Sequence, residues 1–197
     1  MRLSDLDGRL LALREEAKLG RDPTAADETL EYLLHLLETR QIRSILEIGA
    51  AEGLTSCALL SASQARLTAI ELDSGRAQRA REHFEQFGFT SRVVLHEGDA
   101  GKILPLLQEQ YDLIFLDGPK VQYRRYLPDC KRLLRAGGVL LSDDVLLFGW
   151  VQGEPPKKRR MLVEHIREYL RMLEEDPELK TEILPIAEGL AVSEKLR

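Results

Sequence analysis

Three aspartates and a lysine gather at the ends of two apolar runs. Leu116-Asp117-Gly118-Pro119-Lys120 closes one run and Ser142-Asp143-Asp144 closes the other. If the runs are neighbouring strands, Asp117, Asp143 and Asp144 converge at one lip of a sheet, where like charges repel. A hard divalent cation such as Mg²⁺ relieves that repulsion with carboxylate oxygens and waters in an octahedral shell. The competing reading makes Asp117 the start of a turn and Asp143 or Asp144 the cap of a following segment. Asp112 begins its run and belongs to the opposite edge of the sheet. Lys120 follows Asp117 by three residues. Near a metal and partly desolvated, its pKa would fall toward neutrality, which suits a general base. The alternative is a solvated lysine after a turn.

A second group of residues describes a ligand. Glu47-Ile48-Gly49-Ala50-Ala51-Glu52-Gly53 ends the first apolar run and opens a helix. Gly49 lets the backbone turn tightly and a ligand come close. The N–H groups at the helix start favour an anionic group. The full GxGxxG is missing, since Ala51 holds its middle position and Glu52 sets a negative charge beside the turn. A pyrophosphate is poorly served there. An amino-acid moiety, with one carboxylate and one ammonium, tolerates it, and the Thr55 hydroxyl can add to the carboxylate's partners.

Glu71 ends the next strand, 18 residues after Gly53. A carboxylate there accepts hydrogen bonds from both ribose hydroxyls, as in nicotinamide and S-adenosylmethionine sites alike. Gly98-Asp99-Ala100 follows the third strand, where Asp99 can meet an exocyclic adenine amine. A single such turn often holds no ligand. Three at successive strand ends point to one, because ligands sit at the carboxyl ends of parallel strands. The expected S-adenosylmethionine site comprises Glu47, Gly49, Ala51, Thr55, Glu71, Asp99, Ala100 and Asp117. A hydroxyl activated by the metal and Lys120 would then attack the sulfonium methyl in line. A dinucleotide-dependent oxidoreductase is the rival reading.

These residues need a scaffold, and the hydrophobic pattern supplies it. Apolar runs at residues 44–49, 66–71, 92–96, 111–117 and 138–143 alternate with helical segments, including one over about residues 74–86. That alternation marks a parallel sheet buried on both faces. After a helix over about residues 157–174, residues 181–186 and 190–193 read as an antiparallel hairpin around Ala187-Glu188-Gly189. Two amphipathic helices, over about residues 3–18 and 25–39, precede the first strand. A break at residues 20–23 separates them, and they are expected to cap one edge of the sheet. The expectation is one α/β domain over 1–197, Rossmann-like, with a mostly parallel seven-stranded sheet, helices on both faces and an N-terminal helical cap over residues 1–40.

Composition limits the alternatives. A chain of 197 residues suits one domain with a sizeable core. Its 44% hydrophobic and 31% charged residues are ordinary for a globular protein. No stretch approaches the roughly 20 apolar residues of a membrane span. The opening MRLSDLDGRLLALREEAKLG alternates charges with leucines, unlike a secretory signal. Cys57 and Cys130 are too few for a disulfide framework or a zinc site, so a reducing cytoplasm is expected. His35, His83, His96 and His165 show no ligand spacing.

Leu-Glu-Ile-Gly-Ala at 46–50, Ala-Ile-Glu at 69–71, Gly-Asp-Ala at 98–100, Ile-Phe-Leu-Asp-Gly-Pro-Lys at 114–120 and Gly-Gly-Val-Leu-Leu-Ser-Asp-Asp at 137–144 occur in one order. The chain thereby resembles the cation-dependent, catechol O-methyltransferase-like branch of the class I methyltransferases, over about residues 20–197. The resemblance implies metal ligands at Asp117, Asp143 and Asp144, a catalytic lysine at Lys120 and a homodimer. Two departures stand out. Asp144 replaces the usual Asn of the third metal position, adding negative charge to the site. Ala26-Asp27-Glu28-Thr29 replaces a Gly-containing turn near the cofactor's methionine end, so that segment is not among the expected site residues.

Lys120-Val-Gln-Tyr123, residues 144–149, Pro156-Lys-Lys-Arg-Arg160 and residues 186–193 resemble one subgroup more closely. Its members methylate 5-hydroxyuridine at the tRNA anticodon wobble position to 5-methoxyuridine. A small catechol-like phenol is the alternative acceptor. The net charge of −5 excludes a wholly basic nucleic-acid binder, which leaves a local patch. Lys157, Lys158, Arg159 and Arg160 form such a patch at an expected helix start, where cations oppose the helix dipole and phosphates would compensate. A solvated charged turn is the plainer reading. Arg124 and Arg125 could extend the rim, and Phe148 and Trp150 could stack a base.

Overall fold

The apolar runs become strands β1 (Ser44–Ile48), β2 (Arg66–Glu71), β3 (Val93–Glu97), β4 (Tyr111–Leu116), β5 (Leu134–Ser142), β6 (Leu179–Leu184) and β7 (Leu190–Lys195). They belong to a computed structural model that describes residues 2–20 and 22–196; Arg21, within the expected break, lies outside the described residues. The strands form one sheet in the order β3-β2-β1-β4-β5-β7-β6. The first five pair in parallel. β7 runs antiparallel to both β5 and β6. The Rossmann-like sheet with its antiparallel hairpin is as expected. Strand order reverses between β1 and β4, which opens a crevice where their carboxyl ends part.

Helices α3 (Leu54–Ser61), α4 (Ser74–Gln86), α5 (Ala100–Ile103), α6 (Tyr123–Leu133) and α7 (Arg160–Glu175) connect the strands. α7 shows why such a segment is helical and buried. Val163, Ile166, Tyr169, Leu170 and Leu173 recur at helical spacing and pack with α6 against one face of the sheet.

The N-terminal segment forms α1 (Gly8–Gly20) and α2 (Asp27–Thr39). Here the structure departs from expectation. Leu10, Leu30, Leu33 and Leu34 join Ile45, Leu113 and Leu141 in the core of the opposite face. The two helices therefore cover a face of the sheet and not an edge, because their leucine stripes need a broad apolar partner. α1 starts late for a local reason: Asp7 accepts the Arg9 N–H at 2.8 Å, so the chain turns once at Leu3–Asp5 and then restarts.

Other boundaries shift too. β5 reaches back to Leu134 across a register break opposite Tyr111 and Leu113. Residues Lys157–Arg159 form a short 3-10 turn ahead of α7 and not its first turn. Among the described residues no helix is long and apolar enough to cross a membrane.

Candidate active site

A cavity of about 800 Å³ opens at the carboxyl ends of β1, β2, β3, β4 and β5. Glu47, Gly49, Ala51, Thr55, Glu71, Asp99, Ala100, Asp117, Lys120, Asp143 and Asp144 all line it. The topology brings both expected groups into one space.

The turn after β1 depends on Gly49. Its φ of +95° suits glycine, and a Cβ there would lie 2.8 Å from the Asp117 carbonyl carbon. The N–H groups of Gly49 and Ala50 both donate to the Ile70 carbonyl, at 2.9 and 3.1 Å. Glu71 accepts from the Ala51 N–H at 2.7 Å and from the Asp73 N–H at 2.8 Å. The Ala51 N–H, which a pyrophosphate would need, is already committed to a carboxylate. Glu52 plays a different part from the expected one. It pairs with Arg79 and does not line the cavity. The case against a dinucleotide rests on the committed Ala51 N–H, not on Glu52. Asp99 caps α5 by accepting the Gly101 N–H at 2.8 Å.

Glu47 sits at the cavity floor, 1% exposed, with the Ser56 hydroxyl donating to it. Burial pushes its pKa up to about 8, against the Ser56 hydrogen bond and with help from Asp117 and Glu71. Between about 4.5 and about 8 the folded chain holds a proton that the unfolded chain releases, so rising pH removes stability. Relative to Glu47→Gln, the native chain should lose more than about 1 kcal/mol between about pH 5 and pH 8. Urea unfolding midpoints at the two pH values measure this, and equal shifts in both proteins would overturn it.

Asp117, Lys120, Asp143 and Asp144 form the opposite wall. The Lys120 ammonium lies 2.9 Å from Asp117 and 3.0 Å from Asp144. Burial pushes Asp143 up to about 7, and the neighbouring Asp117 and Asp144 add to the rise. The lowering expected of Lys120 belongs to a site that holds a cation; the chain's own residues act in the other direction. Burial acts to lower the Lys120 pKa, but Tyr123, Asp117 and Asp144 outweigh burial and hold it above the usual lysine range. Among the described residues, no three histidine, cysteine, aspartate or glutamate side chains close into a metal cage, and Lys120 bridges two of the carboxylates. The donor set still fits a hard cation: three carboxylates line one polar wall, and two already share a cationic group. Asp112 stands apart as expected, accepting the Arg43 and Ser44 N–H groups at 2.8 and 3.0 Å.

A family model described as "O-methyltransferase" matches residues 10–196. The chain belongs to the O-methyltransferase family. Its relatives include a catechol O-methyltransferase from Niastella koreensis, 31% identical over 75% of this chain and 70% of that one. A Staphylococcus aureus protein, a proposed caffeoyl-CoA O-methyltransferase, superposes with a TM-score of 0.89 at 29% identity over 96% and 93% of the two chains. The O-methyltransferase TomG from Streptomyces achromogenes, involved in tomaymycin synthesis and solved in complex with SAM, gives 0.86 at 25% identity over 98% and 91%.

The cavity of this O-methyltransferase also includes or rests on residues outside the expected site. Residues 23–26 line the cavity, and Thr29 donates to Asp143 at 3.1 Å. The loop they form is held from behind by Arg14, itself 1% exposed. Its guanidinium donates to Thr24 Oγ1 at 3.0 Å, the Ala25 carbonyl at 2.8 Å and Asp27 at 3.0 Å. An arginine inside a leucine-rich helix was the available signal, since a buried guanidinium must find acceptors. Tyr123 was quoted only as part of a motif. Its hydroxyl donates to the Leu116 and Asp143 carbonyls at 2.8 and 3.2 Å, tying the ends of β4 and β5 together.

In the same O-methyltransferase, Lys157, Lys158, Arg159 and Arg160 are exposed, and none has an ion-pair partner among the described residues. Arg124 does not extend that rim, because it pairs with Glu168. Arg125 packs against Gly101. Phe148 is exposed, with its ring 5.1 Å from that of Trp150.

Proposed function

We propose that this chain transfers a methyl group from S-adenosylmethionine, with a divalent cation such as Mg²⁺, to the 5-hydroxyl of 5-hydroxyuridine in tRNA. The observation that carries the chemistry is the cavity with Glu71 and Asp99 on one side and Asp117, Lys120, Asp143 and Asp144 on the other. S-adenosylmethionine supplies an electrophilic methyl on a sulfonium. Glu71 faces the ribose, Asp99 the adenine, and Gly49 with Thr55 the amino-acid end. Asp117, Asp143 and Asp144 would hold the cation, which would offset their charge and supply Lewis-acid polarisation of an acceptor hydroxyl. With a cation on those carboxylates, the unprotonated Lys120 Nζ would be the group that receives the hydroxyl proton. The walls of the crevice align the reactants, and that alignment supplies much of the acceleration.

The tRNA acceptor is supported by the cations Lys157, Lys158, Arg159 and Arg160, unpaired among the described residues, and by the subgroup resemblance; such an acceptor would have the protein act in the cytoplasm. Homodimer formation belongs to the same proposal and is measured by light scattering. A small phenol is the second reading, favoured by the catechol O-methyltransferase among the relatives.

Mass spectrometry of tRNA nucleosides from cells lacking the gene separates the two. Loss of 5-methoxyuridine with accumulation of 5-hydroxyuridine supports tRNA, and an unchanged profile favours the phenol. Reversing the four cations to glutamate should lower tRNA methylation about 100-fold or more, given the salt-sensitive phosphate contribution. Binding of S-adenosylhomocysteine should stay unchanged. Equal loss of activity toward tRNA and toward a catechol would refute the role given to the patch.

A further inference from the structure

The segment between β5 and α7 holds an unusual backbone. Asp144, Leu147 and Phe148 have φ of +55°, +47° and +58°, and none is glycine. Such conformations are costly for L residues and persist where the surroundings over-determine them. The tip of the β6–β7 hairpin does this. The Val145 N–H donates to the Gly189 carbonyl at 2.9 Å. Those of Leu146 and Leu147 donate to the Glu188 carbonyl at 2.8 and 3.2 Å. The Phe148 N–H donates to the Glu188 side chain at 2.7 Å. Gly189 allows the approach: a Cβ there would lie 2.7 Å from the Leu146 nitrogen. Beyond the rings, Arg167 holds the Val151 and Gly153 carbonyls at 3.0 and 2.8 Å.

We propose that Glu188 is a positioning residue whose carboxylate latches this segment, fixing the ring pair of Phe148 and Trp150, a few residues past the cavity-lining Asp144, so that it meets the acceptor. One end of the latched segment, Asp144, lines the cavity, and four residues later Phe148 stands 67% exposed. An exposed ring on a backbone held at both ends is preorganised for contact with a planar partner. The side-chain contact is the removable part of the latch, because the other three hydrogen bonds run from backbone to backbone. The acceptor role rests on the methyl-transfer reading of the cavity, but the latch itself does not.

Trp150 is the chain's single tryptophan, so its fluorescence reports this segment alone. In Glu188→Ala, Trp150 emission should shift to the red and acrylamide quenching should increase. Glu188→Gln keeps an oxygen acceptor for the Phe148 N–H and should restore most of the native signal. With tRNA from cells lacking the gene as acceptor, KM should rise about 10-fold in Glu188→Ala, the scale of one hydrogen bond to a charged group. S-adenosylhomocysteine affinity should be unchanged. An unchanged Trp150 signal in Glu188→Ala would overturn the latch whatever the acceptor proves to be. A moved Trp150 with native KM and kcat would overturn its role in acceptor contact. If the native protein does not methylate that tRNA, the acceptor assignment fails, and the Trp150 signal still decides the latch.

Discussion

Lys120→Ala should lower kcat by about 10²–10⁴-fold, the range that a positioned general base contributes. S-adenosylhomocysteine should bind within a few-fold of the native affinity. Lys120→Arg separates proton transfer from charge. Arginine keeps a cation between Asp117 and Asp144 but cannot lose its proton at ordinary pH. If Lys120 acts only by neutralising the carboxylates, the arginine variant retains most of its activity. If Nζ takes the acceptor proton, arginine is as inactive as alanine. The contacts of 2.9 and 3.0 Å to two carboxylates make this comparison informative, because they favour the protonated lysine. Activity retained in Lys120→Arg would remove the base role.

Gly49→Ala should be severely disruptive for a single added methyl. The new Cβ would sit 2.8 Å from the Asp117 carbonyl carbon and 3.0 Å from Gly118 Cα, and both neighbours are backbone. Nothing flexible stands there to give way, and the φ of +95° disfavours alanine in any space. The ends of β1 and β4 must part, which moves Asp117 and breaks the turn carrying the Ala51 N–H. A loss above about 4 kcal/mol is expected, in the exceptional range for one substitution. Donor binding should be lost even where the fold survives. Urea unfolding and calorimetry with S-adenosylhomocysteine measure the two effects. Native stability in this variant would show that the ends of β1 and β4 do not set the site.

The parts of this architecture that repeat were readable from sequence. Strands β1 and β4 are continuous apolar runs because both faces are covered, and runs of that kind stand out between polar turns. Asp117 and Asp143 were placed at one lip by that pattern alone. What escaped depended on contacts distant in sequence. Glu52 looked like a charge beside the ligand until Arg79 on α4 drew it away. Thr29 reaches Asp143 across 114 residues, and no local pattern announces such a bond. The leucine stripes of α1 and α2 showed that they are amphipathic, but a stripe does not say whether it covers a face or an edge. Lys120 shows the same limit in electrostatics. Its charge state depends on two carboxylates and a phenol whose distances only the fold supplies.

The position of β7 bears on how the site comes into being. β5, which delivers Asp143, lies between β4 and β7, and β7 follows every other strand in chain order. Until β7 is in place, β5 shows a bare edge of unpaired backbone groups to the solvent. That edge is apolar in its second half, where Val139, Leu140 and Leu141 are buried in the finished fold. A chain synthesised as far as α7 therefore carries its acidic lip on an open edge, ready to pair with another copy. Completion of the hairpin closes the edge and brings the Glu188 carbonyl and side chain to residues 146–148 in the same event. Catalytic competence and protection from aggregation thus arrive together, once β7 has paired with β5.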